Sequence, residues 1–120
     1  MILAGPQTLN LFLLLALGHW VADFPLQTDR IAIEKCPGCN VILPWQWWLL
    51  AHSGVHGFFV AWLTQVPILG LLELVLHAII DIGKCQKKYN LLVDQLLHLS
   101  CKLLLAVLAS QLVGTSFALT

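Results

Sequence analysis

The chain has 120 residues, 59% of them hydrophobic and only 10% charged, with a mean hydropathy of +0.87 and a formal net charge of zero. Soluble domains carry about a quarter charged residues, so this balance predicts an integral membrane protein and leaves no length for a separate soluble domain. The neutral chain also lacks the surplus of Lys and Arg that phosphate backbones require, and no nucleic-acid partner is expected.

The length suits one domain over 1–120, with about four spanning helices of roughly 20 residues each. The first expected span covers 8–24 and stops before Pro25, because proline disfavours helix in the residue preceding it. No basic region precedes its apolar run and no small-residue cleavage site follows, so it reads as a retained span rather than a signal peptide. Gln27 to Pro44 is the one long polar connection, and it contains Cys36-Pro37-Gly38-Cys39. Trp45, Trp47 and Trp48 mark entry into the second span, 46–65, as interfacial anchors, and Trp62 reads the same way. Pro67 turns the chain into the third span, 68–84, whose length is marginal for about 30 Å of hydrocarbon. A short polar connection leads to the fourth span, 91–112. The expected fold is therefore all-α, an up-and-down integral membrane bundle of four transmembrane helices.

Arg30 and Lys35 lie in the first connection, and Lys84, Lys87 and Lys88 lie in the third. The positive-inside rule puts both connections in the cytoplasm and both termini outside.

Every span carries two ionisable groups four residues apart: His19 with Asp23, His52 with His56, His77 with Asp81, and Asp94 with His98. This spacing places each pair on one helix face, and lipid offers such a face no partner, so the pairs should point into the bundle. Each charged residue at mid-span costs about 2.5 to 3.5 kcal/mol, which argues against accident. Counted from the cytoplasmic ends, Asp23, Asp81 and Asp94 lie roughly 3 to 5 Å deep, and His19, His52, His77 and His98 roughly 9 to 10 Å deep. His56, Glu73 and Lys102 fall near ~15 Å. The first and third spans read His then Asp, while the fourth, running the other way, reads Asp then His. That reversal keeps each residue type at its own depth. Gly18, Ser53, Gly54 and Gly57 are small enough to let helices approach around the site.

Converging imidazoles and carboxylates are the ligand set of zinc, manganese or iron, or of a pair of such ions. The candidate metal ligands are His19, Asp23, His52, His56, His77, Asp81, Asp94 and His98, with Asp23, Asp81 and Asp94 as candidate catalytic carboxylates. Gln27 and Gln95 are expected to hydrogen-bond these ligands, and Glu73 and Lys102 to lie behind them. Lys84 suits either a bound phosphate or a topology-setting role at the membrane rim. A proton-sharing network tying helices together is the structural alternative, and haem held by two histidines leaves the aspartates unexplained. Cys36, Cys39 and Cys85 read as reduced thiols, with a three-thiolate zinc site as the alternative.

The pattern His19-Trp20-Val21-Ala22-Asp23-Phe24 followed by Leu26-Gln27, then His52xxxHis56, His77xxxAsp81xxLys84 and Asp94-Gln95xxHis98, resembles domain-of-unknown-function family 3307. The resemblance covers nearly the whole chain and implies a small multi-pass protein of the bacterial inner membrane, with no established activity. The polar pairs on short apolar helices are also loosely similar to families named as membrane-bound metal-dependent hydrolases. The resemblance implies no role for the Cys36 to Cys39 turn or the tryptophans. The expected function is a metal-dependent hydrolase acting on a lipid or lipid-linked, phosphate-bearing substrate at the cytoplasmic leaflet. The rival is a metal-ion or proton transporter or channel using the same layers. A continuous path has little to follow beyond Thr64, Gln65, Ser110 and Gln111, and a channel usually needs oligomers.

Overall fold

A computed structural model describes residues 5–118 of the protein, with side chains described through residue 113. Among the described residues there are five helices and no strand: α1 (Pro6–Asp23), α2 (Asp29–Glu34), α3 (Trp45–Thr64), α4 (Pro67–Cys85) and α5 (Leu91–Ala118).

Local chemistry sets these limits. Pro6 and Pro67 begin α1 and α4, where a missing amide hydrogen costs nothing and the fixed φ already suits a helix. The short α2 falls inside the stretch read from sequence as an irregular connection. Its start is capped by Thr28, whose hydroxyl accepts from the Ile31 amide at 3.2 Å, and Asp29 complements the positive helix end. Asn90 caps α5 in the same way, accepting from the Val93 amide at 2.9 Å. At the end of α4, Lys87 takes a left-handed φ of 57°, and the Lys88 amide returns to the Gly83 carbonyl at 3.1 Å. That pairing satisfies carbonyls the helix end leaves open.

The four long helices form a closed circuit: α1 packs on α3 and α5, and α4 packs on α3 and α5, with α2 resting on α3. The α3–α4 seam is the closest. A Cβ on Gly57 would lie 2.6 Å from the Gly70 carbonyl oxygen, and a Cβ on Gly70 2.5 Å from that of Gly57, so any side chain here would push the helices apart. Gly54, expected to share this role, has open space around it, and Gly18 allows ordinary van der Waals contact with Phe59 and Leu63.

All four long helices contribute to an apolar cluster of Leu15, Val60, Leu69, Leu105, Ala106 and Ala109 in one half of the bundle. The other half is polar inside: Lys102, Glu73, His19, His56, His77 and His98 are among the largest fully buried side chains. Leu13, Leu17, Phe58, Ile79 and Leu92 face outward instead. Among the described residues, one helix is long and apolar enough to cross a membrane, over Leu91–Val113. Helix α4 is shorter, at 19 residues, and Glu73, Asp81 and Lys84 lower its apolar character.

Candidate metal centre

Helical spacing projects His19 and Asp23 from α1, His52 and His56 from α3, His77 and Asp81 from α4, and Asp94 and His98 from α5 into the interior, and all eight are buried. The structure brings together every ligand candidate named from the sequence. The imidazole Nε2 atoms converge on the carboxylates. Asp23 Oδ1 lies 2.9 Å from His56 Nε2 and 3.2 Å from His52 Nε2, and Asp23 Oδ2 lies 3.3 Å from His19 Nε2. Asp81 Oδ2 lies 3.5 Å from both His52 and His77, while Asp81 Oδ1 lies 3.3 Å from His98.

These spacings match donors sharing an ion, because two atoms each 2.0–2.1 Å from a tetrahedral zinc stand roughly 3.3 to 3.4 Å apart. Two further observations fit. His77 Nε2 and His52 Nε2 stand only 3.2 Å apart, and the rings of His56 and His77 stack with centroids 3.6 Å apart. Three overlapping buried groups can hold a metal ion: Asp23 with His52, His56 and His77; His19 with His77 and His98; and Asp23 with Asp94 and His98.

One depth assignment changes. His56, counted from sequence into a third layer with Glu73 and Lys102, reaches up to Asp23 and joins the ligand cluster. Glu73 and Lys102 form a direct, fully buried ion pair beneath it, and Glu73 Oε1 lies 3.4 Å from His77 Nδ1. At that separation the Glu73 carboxylate stands behind the His77 ring, on the side opposite Nε2. Gln95 joins the cluster at three points. It donates to Asp23 Oδ2 at 2.9 Å and to Asp94 Oδ2 at 3.1 Å, and its carbonyl oxygen lies 3.0 Å from His19 Nε2. Gln27 instead donates to the backbone carbonyl of Asp23, at 3.0 Å, rather than to a ligand side chain.

Above the aspartates, a cavity of about 220 Å³ is bordered by Asp23, Asp81, Asp94 and Gln95, with Lys35 and Lys84 at its edge. Lys35 is the one residue of this region that sequence reasoning missed. It is buried, and its Nζ lies 2.5 Å from Asp81 Oδ2. A disulfide joins the next residue, Cys36, to Cys85, which anchors the end of α2 against the end of α4. This corrects the reading of Cys36 and Cys85 as reduced thiols or zinc ligands, and Cys39 and Cys101 remain as thiols. The available signal was the position of Cys85, four residues beyond Asp81 as Cys36 is one beyond Lys35. Trp47 and Trp62 are exposed, whereas the Trp48 indole nitrogen is buried. Beyond the centre, the Tyr89 phenol is raised above its ordinary value by desolvation and by the nearby Asp94 and Asp81 charges.

Fold and site together define an all-helical bundle with a buried cluster of histidines and aspartates suited to a metal ion. The chain belongs to the family described as Protein of unknown function (DUF3307), whose model matches residues 11–120. No curated protein and no solved structure matches it.

Proposed function

We propose that the protein is a multi-pass bacterial inner-membrane, metal-dependent hydrolase that acts on a lipid or lipid-linked, phosphate-bearing substrate at the cytoplasmic leaflet. Zinc is the leading ion on its donor set, with manganese or iron as alternatives. The observation that carries the reading is a headgroup-sized cavity opening directly onto a buried His/Asp cluster that is closed from below.

The many leucines and other large apolar side chains lining the outside support lipid as the surrounding solvent. The lysines and Arg30 near the cavity put its face in the cytoplasm by the positive-inside rule. The Cys36–Cys85 disulfide at this face favours an oxidising compartment and weighs against the cytoplasmic side.

A bound divalent ion would lower the pKa of a water molecule and polarise a phosphoryl or acyl oxygen. Asp23, enclosed by three histidines and Gln95, would serve as a ligand to such an ion, and Asp81 would join it. Asp94 borders the cavity, and its Oδ1 is buried with no hydrogen-bond partner among the described residues, so it is the carboxylate placed to take a proton from the attacking water. Lys84 and Lys35 at the cavity edge offer cations to a phosphate.

The apolar cluster counts against transport. Beyond the Glu73–Lys102 pair, the apolar cluster of Leu15, Val60, Leu69 and Leu105 occupies the interior, and the described polar side chains in that half are hydroxyls such as Thr8, Thr64 and Ser110. The test is hydrolysis of phospholipid and polyprenyl-phosphate substrates in mixed micelles, with and without zinc or manganese, beside metal flux into proteoliposomes. Metal-dependent hydrolysis lost in Asp94→Asn is expected. Flux without hydrolysis would establish the transporter instead.

A further inference from the structure

We infer that the centre holds two metal ions side by side, bridged by Asp23 and Asp81, an inference that rests on the metal-centre reading above. Both carboxylates divide the histidines in the same way. Asp23 turns Oδ1 to His52 and His56, at 3.2 and 2.9 Å, and Oδ2 to His19, at 3.3 Å. Asp81 turns Oδ2 to Lys35 Nζ, at 2.5 Å, and to His52 and His77, both at 3.5 Å, and Oδ1 to His98, at 3.3 Å. His52, His56 and His77 thus lie on one side of the two carboxylates, and His19 and His98 on the other.

One ion cannot use this set. Five imidazoles and two carboxylates exceed the four donors typical of zinc and the six of an octahedral ion. Two ions resolve the excess. The first would take His52, His56 and His77 with one oxygen from each aspartate; the second would take His19 and His98 with the opposite oxygens. Carboxylates that span two ions about 3.5 to 4 Å apart are the general plan of two-metal hydrolytic sites.

A second observation points to the second position. His98 Nε2 is fully buried and makes no hydrogen bond among the described residues, although Asp81 Oδ1 and Asp94 Oδ1 lie 3.3 and 3.5 Å away. A cation beside His98 Nε2 would give that buried nitrogen the partner it lacks, with Asp81 Oδ1 within reach as a second donor. Asp94, beside the second position and open to the cavity, is left to serve the water.

The test loads the purified full-length chain with Mn(II) or Zn(II), strips loose metal, and combines elemental analysis with electron paramagnetic resonance of the manganese form. Two ions per chain are expected, with the spectrum of a spin-coupled pair replacing that of isolated Mn(II). His52→Ala and His98→Ala should each halve the metal content and return the isolated-ion spectrum. The wild-type spectrum needs no variant and so stands even if a substitution prevents folding. One ion per chain, or two without coupling, overturns the bridged pair and leaves the metal centre intact. No retained ion overturns both readings.

Discussion

Replacing Lys102 with Met isolates a carboxylate at the bottom of the centre. Lys102 and Glu73 are each 1% exposed and contact one another directly, so neither has water to fall back on. Removing one member of a buried ion pair costs about 3 to 5 kcal/mol, because the remaining charge must be neutralised or left without a partner. Removing both charges avoids that penalty, so Glu73→Gln combined with Lys102→Met should recover most of the loss. The two effects also separate stability from chemistry. Glu73 Oε1 stands 3.4 Å from His77 Nδ1, and loss of a carboxylate behind a metal-binding histidine weakens metal affinity about 10- to 100-fold. The double variant should therefore be stable but bind metal poorly. Unfolding in detergent followed by circular dichroism, with metal titration of the same samples, measures both quantities. A Lys102→Met variant as stable as wild type, or a double variant no better than the single one, would refute the reasoning.

Gly70→Ala should destabilise the bundle by about 1 to 3 kcal/mol through overpacking, since its Cβ would meet the Gly57 carbonyl at 2.5 Å and Ala61 Cβ at 2.7 Å. An unchanged melting temperature would contradict that seam. Lys87→Gly relieves a left-handed φ of 57° and should stabilise by about 0.5 to 1 kcal/mol in the same assay. Metal should be released on acidification from about pH 8 to about pH 5, because ligand histidines must be neutral to bind and their ordinary pKa is near 6.5. Retention of metal at the acid end, read by equilibrium dialysis, would argue against histidine ligation. Reduction of Cys36–Cys85 should unlock α2 and expose Lys35 to amine-labelling reagents, whereas labelling unaffected by reductant would show that the tether is not what holds α2 down.

The buried cluster of histidines and aspartates was legible because each pair lies within a single helix, where spacing alone decides the face. His19 with Asp23 and His77 with Asp81 needed only a period of 3.6 and an estimate of where each helix ends. Contacts between helices were harder to read, because they depend on tilt and rotation that periodicity does not encode. His56 therefore joined Asp23 rather than the deeper pair, and the close approach at Gly57 proved to be with Gly70, while Gly54 has open space around it. The fold-back of α2 was invisible for a related reason: Lys35 meets Asp81 and Cys36 meets Cys85 across long stretches of chain. Thr28 as a helix cap was the local clue to α2, and six residues are too few to show a period of their own.

The disulfide has a topological consequence. It closes a covalent loop across a sequence separation of 49 residues, from the end of α2 through all of α3 and α4. His52, His56, His77 and Asp81 sit inside that loop, while His19 and Asp23 lie on the arm before it and Asp94 and His98 on the arm after it. The centre is thus divided between a cyclised segment and two open arms, and the three histidines proposed for the first ion all belong to the cyclised part. Bond closure would preassemble that half, and docking of α1 and α5 would then complete the other.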